Sequence, residues 1–227
     1  IGTLSCYPAH HITMGEGGAV YTSDPLLKKL LESFRDWGRD CWCPPGKENT
    51  CCKRYQWKFG SLPEGYDHKY VYAHAGYNLK ITDMQAALGV AQLNRIEEFC
   101  TARRRNFIRL RERLANLEDF LILPEATPHA DPSWFGFPIS LRESADCNRV
   151  DLLRYLDEHR IGTRLIFAGN VTRQPYFADR NYRVSGTLDN ADFIMKNALH
   201  LGTFPGIDDG MIDYVSDTIG KFFGVGF

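Results

Sequence analysis

The longest regular signal in the chain is "DMQAALGVAQLNRIEEFCTARRRNFIRLRERLANL", residues 83–117, which follows Thr82 as a cap. Met84, Leu88, Ala91, Ile96, Phe99, Phe107, Leu110 and Leu114 recur along one face at helical spacing, which predicts a single long helix with that face inward. Its outer face is basic from Arg103 to Arg113, and a solvated helix surface is the expected reading, ahead of nucleic-acid binding. After it, "WFGFPISL" predicts a strand, "NRVDLLRYLDEHRIG" a helix ending at Gly162, and "TRLIFAG" a second strand. "DNADFIMKNALHLG" and "DDGMIDYVSDTIGKFFG" predict two closing helices, so the last hundred residues read as a small α/β domain. Before it, "IGTLS" starts a strand and Ala19–Thr22 forms another. Pro25 then sits in the first turn of "PLLKKLLESFRDWG", whose Leu26, Leu27, Leu30, Leu31 and Phe34 predict a buried face.

With 227 residues, 44% of them hydrophobic and 13% aromatic, the chain has apolar material for one large or two small globular domains. Its 27 Lys and Arg nearly balance 28 Asp and Glu, which points to a small-molecule partner rather than a polyanion. No apolar run reaches membrane-spanning length and no secretory leader is visible, so a soluble, cytoplasmic protein without membrane or nucleic-acid partners is expected. The chain opens on Ile1 and runs directly into a strand, which reads as a fragment lacking an N-terminal part.

From Gly38 to about Gly76 no period survives, and Pro, Gly, Cys and aromatic residues dominate. An irregular stretch of that length in a compact domain is functional or is held by something other than a core. Of the seven cysteines (Cys6, Cys41, Cys43, Cys51, Cys52, Cys100 and Cys147), four fall within twelve residues. Without an export signal this pattern argues for metal binding or reactive thiols over a disulfide framework. "DCWCPPGKENTCC" gives C-x-C-x7-C, and with Cys52 it would also satisfy a structural zinc site.

The segment "SCYPAHHITMGEGGAV" resembles the active-site stretch of the pyridoxal-phosphate sugar aminotransferases of the DegT/DnrJ/EryC1/StrS family. "HAGYNLKITDMQAALGVAQLNRIEEF", "GSLPEGYDHKY", "DPSWFGFPI", "IGTRLIFAGN" and "RQPYF" extend the likeness over essentially the whole chain. The resemblance implies an α/β fold, the pyridoxal-phosphate-dependent transferase fold type I of aspartate aminotransferase, with the N-terminal half of the large domain missing. It implies residues 1–80 as the rear of the large cofactor domain with the cysteine-rich loop at 38–76, 81–117 as a connecting helix, and 118–227 as a small C-terminal domain. The chain alone is then expected to be inactive.

In that family the column occupied here by His10 holds the cofactor lysine. Only a primary amine condenses with the pyridoxal aldehyde, whereas imidazole is an acid or base, so His10 implies the amine form, pyridoxamine 5'-phosphate, and a dehydratase in which it removes a proton. The resemblance implies Ser5 as a phosphate contact and Asn78 as a residue that reaches the phosphate across a homodimer interface. Tyr7 and Phe135 would line the sugar pocket, and Arg164 and Arg173 would meet a nucleotide-sugar diphosphate. His11, where the family has Asn, is structural. The cysteine spacing matches a cluster-bearing branch acting on CDP-4-keto-6-deoxyglucose, with Cys41, Cys43 and Cys51 ligating a 2Fe-2S cluster whose fourth thiolate lies upstream. Cys52 is then a bystander, and electrons come from an NADH-dependent flavin iron-sulfur reductase. The alternatives are a cluster-free GDP-4-keto-6-deoxymannose-type dehydratase, an ordinary sugar aminotransferase, and a zinc-stabilised binding module.

Overall fold

The computed structural model describes residues 1–226 and divides into two compact units, Ile1–Asn94 and Arg95–Phe227. In the first, β1 (Gly2–Ser5) pairs antiparallel with β2 (Gly18–Tyr21), Ser5 opposite Gly18. Helix α1 (Pro25–Arg35) starts at Asp24, whose carboxylate accepts from the N–H groups of Leu26 and Leu27, with proline at the first turn where its missing N–H is harmless. Helix α2 (Asp83–Leu93) carries a complete capping box between Thr82 and Gln85. Between α1 and α2 the chain has one short 3-10 turn, His68–Tyr70, and no helix or strand of greater length, as the lost periodicity predicts.

The second unit contains the main hydrophobic core. Helix α3 (Ile96–Arg113) packs beside a three-stranded antiparallel sheet of β3 (Leu121–Ile122), β4 (Gly136–Leu141) and β5 (Ala198–Gly202), in the order β3-β4-β5. Along β4 the two-residue alternation puts Phe137, Ile139 and Leu141 on the buried face, and the register sets Leu201 and Leu199 opposite Phe137 and Ile139. Helices α4 (Arg149–Glu158) and α6 (Asp209–Phe222) complete the core through Leu152, Leu156, Ile212 and Ile219, while α5 (Asp189–Asn197) leads into β5. Among the described residues no helix is long and apolar enough to cross a membrane.

Four expectations need correction. The helix expected over 83–117 is two helices, α2 and α3, interrupted at Asn94 and Arg95 and ending in a 3-10 turn at Ala115–Leu117; an asparagine side chain competes with the helical backbone for hydrogen bonds. The apolar faces of α1 and α2 are not buried within their unit: Leu26 is 64% and Met84 81% exposed, and only from Phe107 onward is the predicted face enclosed. The stripe Arg103–Arg113 is not simply solvated. Arg109 bonds Asp213 at 3.0 Å and Arg113 bonds Asp217 at 2.6 Å, tying α3 to α6, while Arg103 is buried and donates to the carbonyls of Trp134 and Phe135. Finally, "TRLIFAG" is a loop with a single bridge, Arg164 to His200, whereas "ALHLG", read as helix, is β5. Leu199 and Leu201 fit either period in so short a run, and pairing with β4 decides between them.

These burials predict that Leu156→Ala, which empties a fully enclosed site, lowers unfolding free energy by about 2–5 kcal/mol. Leu26→Ala on the open face of α1 should stay within about 0.5 kcal/mol. Urea unfolding curves of the three proteins distinguish a buried from an unburied α1 face.

Candidate functional site

The segment after β1 is a closed turn. Cys6 is buried, its N–H donates to Gly17 O at 2.9 Å, and its carbonyl accepts from Met14 N–H at 3.0 Å, so residues 7–13 are held at both ends. Within them the His10 N–H donates to Tyr7 O, and the ring of Tyr7 meets that of His10 edge-on at 6.0 Å. His10 Nδ1 lies 3.2 Å from Ser5 O. A carbonyl only accepts, so in this contact Nδ1 carries the hydrogen and Nε2 is the ring's other nitrogen. The structure thus gathers Ser5, Tyr7 and His10 in one turn at the end of β1. Helix α2 packs close beneath it: Gln85 donates to Glu16 O at 3.0 Å, and a side chain at Gly89 would collide with Met14.

Asn78 belongs to a second arrangement. Residues 36–40 and 71–78 run against each other, with Asp40 N–H donating to Val71 O, Ala73 N–H to Gly38 O and Trp37 N–H to Tyr77 O, and a bridge pairing Asp36 with Asn78. At the crossing Gly38 has φ +81°, and an added Cβ would overlap His74 O; one on Gly76 would overlap the Gly38 backbone. The thirty residues between are therefore a loop with a pinned base.

That loop carries the cysteines. Cys41, Cys43 and Cys51 line one cavity of about 430 Å³, together with Arg39 and His68. The turn 49–52, with Asn49 and Cys52 both at positive φ, leaves Cys52 exposed, its sulfur 4.0 Å from Thr50 O, and outside the cavity lining. Burial pushes the Cys41 thiol up; the Cys43 backbone N–H opposes this and the Cys43 thiol adds to it. For Cys43 burial acts in the same sense, but hydrogen bonds from Thr50, the Cys51 N–H and the thiols of Cys41 and Cys51 outweigh it and lower the pKa to about 7. Three thiols in hydrogen-bonding association, one with a lowered pKa, are a donor set of the kind a thiophilic metal takes. Among the described residues no group of three His, Cys, Asp or Glu side chains is gathered closely enough to hold a metal ion as it stands.

The loop is braced by residues that the sequence pattern did not single out. Arg54 bonds Asp67 at 2.8 Å and Glu48 at 2.9 Å, and Lys69 bonds Glu48 at 2.7 Å; the Arg54 guanidinium draws the Asp67 carboxyl below its usual range. His68, fully buried, meets Asp40 at 2.6 Å and is boxed by Trp42, Trp57 and Phe59. The only sequence signal for this box was the aromatic content of the irregular stretch.

In the second unit Phe135 and Arg164 share a neighbour. The Phe135 ring lies 5.8 Å from that of His200, whose backbone exchanges hydrogen bonds with Arg164. Burial lowers the His200 pKa, and the Arg164 charge adds to the effect. Phe167, 6.1 Å from Phe135 and 79% exposed, adopts φ +43° in a tight turn. The Arg164 guanidinium donates to Thr163 O. Arg173 is set apart with its fork on Asp192, which, with Asn170, holds that carboxyl at about 2. Its donors are thus committed to a carboxylate, whereas the diphosphate role asks for them to be available.

The lipopolysaccharide biosynthesis protein RfbH of Salmonella typhimurium is 60% identical over the whole chain, which covers 52% of RfbH. A dTDP-4-dehydro-2,6-dideoxy-D-glucose 3-dehydratase of Saccharopolyspora spinosa is 54% identical over 97% of the chain and 47% of its own length. The structure of GDP-4-keto-6-deoxy-D-mannose-3-dehydratase from E. coli with bound hydrated pyridoxal phosphate superposes with a TM-score of 0.79 at 26% identity, over 96% of this chain and 53% of that one. The chain therefore spans about half the length of the relatives it matches, and over that half it has the α/β fold of the fold type I pyridoxal-phosphate enzymes. Residues 1–220 match the DegT/DnrJ/EryC1/StrS aminotransferase family model, and the chain belongs to that family.

Proposed function

We propose that this chain is part of a pyridoxamine-phosphate-dependent nucleotide-sugar 3-dehydratase, and that His10 is its proton-abstracting base. The observation that carries the reading is the hydrogen bond from His10 Nδ1 to Ser5 O, which fixes an imidazole in the column where the family's transaminating members carry lysine. An imidazole there fits the amine form of the cofactor and not the aldehyde form, which a lysine would have to hold. When bound, that cofactor supplies an amine for the 4-keto carbon of the sugar and a methylene C–H acidic enough to be removed.

With that group bound, His10 would take the proton, the Ser5 carbonyl keeping its ring in place, and would return it to the departing 3-hydroxyl, which leaves as water. Ser5 contributes its hydroxyl to the phosphate, and Asn78, on the pinned strand pair, contributes its amide to the phosphate of a second subunit in a homodimer. Tyr7 and Phe135 line the sugar pocket, and Arg164 with Arg173 serves the diphosphate; for Arg173 this requires release from Asp192. Residues 1–80 act as the rear of the cofactor domain, 81–117 as the connection and 118–227 as the small domain, in the cytoplasm.

The shared cavity of three cysteines supports the branch of the family that ends in reduction. Cys41, Cys43 and Cys51 would hold a 2Fe-2S cluster together with a fourth thiolate from outside this chain once their sulfurs are drawn together, and such a cluster would pass single electrons from an NADH-dependent flavin iron-sulfur reductase. The exclusion of Cys52 from the cavity supports this over an in-chain zinc site. The substrate is CDP-4-keto-6-deoxyglucose; the dTDP-sugar named for one relative makes comparison of the two nucleotides the direct test of the base.

In the complete enzyme, His10→Lys should lose dehydration by at least about a hundredfold and gain a visible absorbance of covalently held pyridoxal phosphate that survives dialysis. His10→Asn should lose dehydration without that absorbance, and His11→Asn should be mild. Wild-type elimination in both His10 variants would make the histidine structural. For the cavity, Cys41→Ser, Cys43→Ser and Cys51→Ser should each abolish bound iron and acid-labile sulfide, while Cys52→Ser retains both. Zinc in place of iron would overturn the cluster assignment.

A further inference from the structure

The loop from Arg164 to Asn170 in the second unit is pinned at both ends. Arg164 donates its N–H to His200 O on β5 at 3.2 Å, and its carbonyl accepts from His200 N–H at 2.7 Å. At the other end Asn170 is buried and its side-chain amide donates to Asp192 of α5 at 2.7 Å, while Gly169 lies so close to α5 that an added Cβ would overlap Met195. The chain has to reverse between these anchors, and the Gly169 N–H closes the turn onto Ile166 O at 3.1 Å.

Within that turn a positive φ, +43°, falls on Phe167. Left-handed backbone is strained for a large side chain and open to glycine, so local geometry alone favours glycine here. Nor does packing explain the ring, which is 79% exposed and no part of the unit's hydrophobic core. An aromatic side chain kept on strained backbone without burial points to a role in contact with a ligand.

The neighbours of Phe167 indicate which part of a ligand it meets. Its ring lies 6.1 Å from Phe135 and 6.3 Å from His200, and those two are 5.8 Å apart, so the three rings form one aromatic corner. Burial holds the His200 pKa down and the Arg164 charge adds to this, which keeps the imidazole neutral at neutral pH. The two phenylalanines carry no hydrogen-bonding group. A hydroxyl set against them gives up water and gains no partner, whereas a methyl group gains from leaving water. A 6-deoxyhexose differs from its parent sugar in that one respect, with a methyl group at carbon 6 in place of a hydroxymethyl.

We propose that Phe167 is a specificity-determining residue which, together with Phe135, receives the carbon-6 methyl group of the sugar. The inference rests on the reading of Phe135 as a sugar-pocket residue and deepens it, because it names the end of the sugar that the pocket takes and adds the residue that closes over it.

The test measures binding of CDP, CDP-glucose and CDP-6-deoxyglucose to the complete enzyme by calorimetry, the 4-hydroxyl of both sugars keeping them from reacting. Wild type should prefer the 6-deoxy sugar by roughly tenfold. In Phe167→Gly, where glycine is free to adopt the turn's φ, the melting temperature should hold and the preference should fall close to one, while CDP itself binds as in wild type. Phe167→Leu, which keeps an apolar side chain, should retain most of the preference. No preference in wild type, or an undiminished preference in Phe167→Gly, would overturn the proposal. Weaker binding of CDP alone in Phe167→Gly would place the ring on the pyrimidine base and overturn the carbon-6 assignment. Phe135→Ala separates this inference from the reading beneath it: a preference lost there but kept in Phe167→Gly leaves the sugar pocket standing and removes Phe167 from it, whereas a preference kept in both variants removes the pocket reading as well.

Discussion

The approach of two backbones at Gly38 and Gly76 is the constraint on which the first unit's chemistry depends. A Cβ at either position would overlap the other strand, so the crossing exists only because both residues are glycine. From it follow the bonds Asp40–Val71 and Ala73–Gly38 and the bridge Asp36–Asn78, which close a thirty-residue excursion without strands or a core of its own. The loop can then be irregular, as cysteine spacing and proline content require, yet return to a fixed base. Asp40 sits on that base, and from there it reaches His68 and sets the wall of the thiol cavity.

Charge finishes what the backbone begins. Arg54 and Lys69 converge on Glu48 and Asp67 across the loop, and ion pairs this exposed contribute little individually. Their effect is to restrict where the loop's two arms lie relative to each other. Inside, hydrogen bonds to Cys43 lower its thiol's pKa, while burial pushes that of Cys41 up. The second unit shows the opposite economy. Its stability rests on an apolar core of leucine, isoleucine and phenylalanine; Arg109 and Arg113 tie α3 to α6 at the periphery, and the buried Arg103 holds the backbone beside Phe135.

Much of this was legible in the residues. His10, the C-x-C-x7-C spacing and the capped starts of α1 and α2 are local statements, and local chemistry suffices to read them. A lysine column filled by imidazole changes the chemistry that the position can perform wherever the chain places it. The aperiodic stretch from 38 to 76 likewise announced an irregular loop. What periodicity could not give was which apolar faces find partners. The leucines of α1 have the same spacing as the enclosed residues of α3, but α1 has nothing packed over Leu26 within its unit. Nor could it separate strand from helix at "ALHLG", where pairing with β4 overrides a weak local preference.

By itself the sequence determined the residue types at the sites: an imidazole for an amine, three spaced thiols, and glycines where backbones must meet. These are decisions about chemistry and backbone freedom, and they are made one residue at a time. Only the tertiary structure decided that His10 Nδ1 meets Ser5 O, that Cys51 lines the cavity while Cys52 does not, that Arg173 is engaged by Asp192, and that Arg39 and the Asp40-held His68 line the cavity of the thiols. The outcomes at the thiol cavity depend on groups up to some thirty residues apart that the crossing at Gly38 and Gly76 brings together. Spacing along the chain carries no record of such an approach, because it arises from closure of the loop and not from any periodic preference within it.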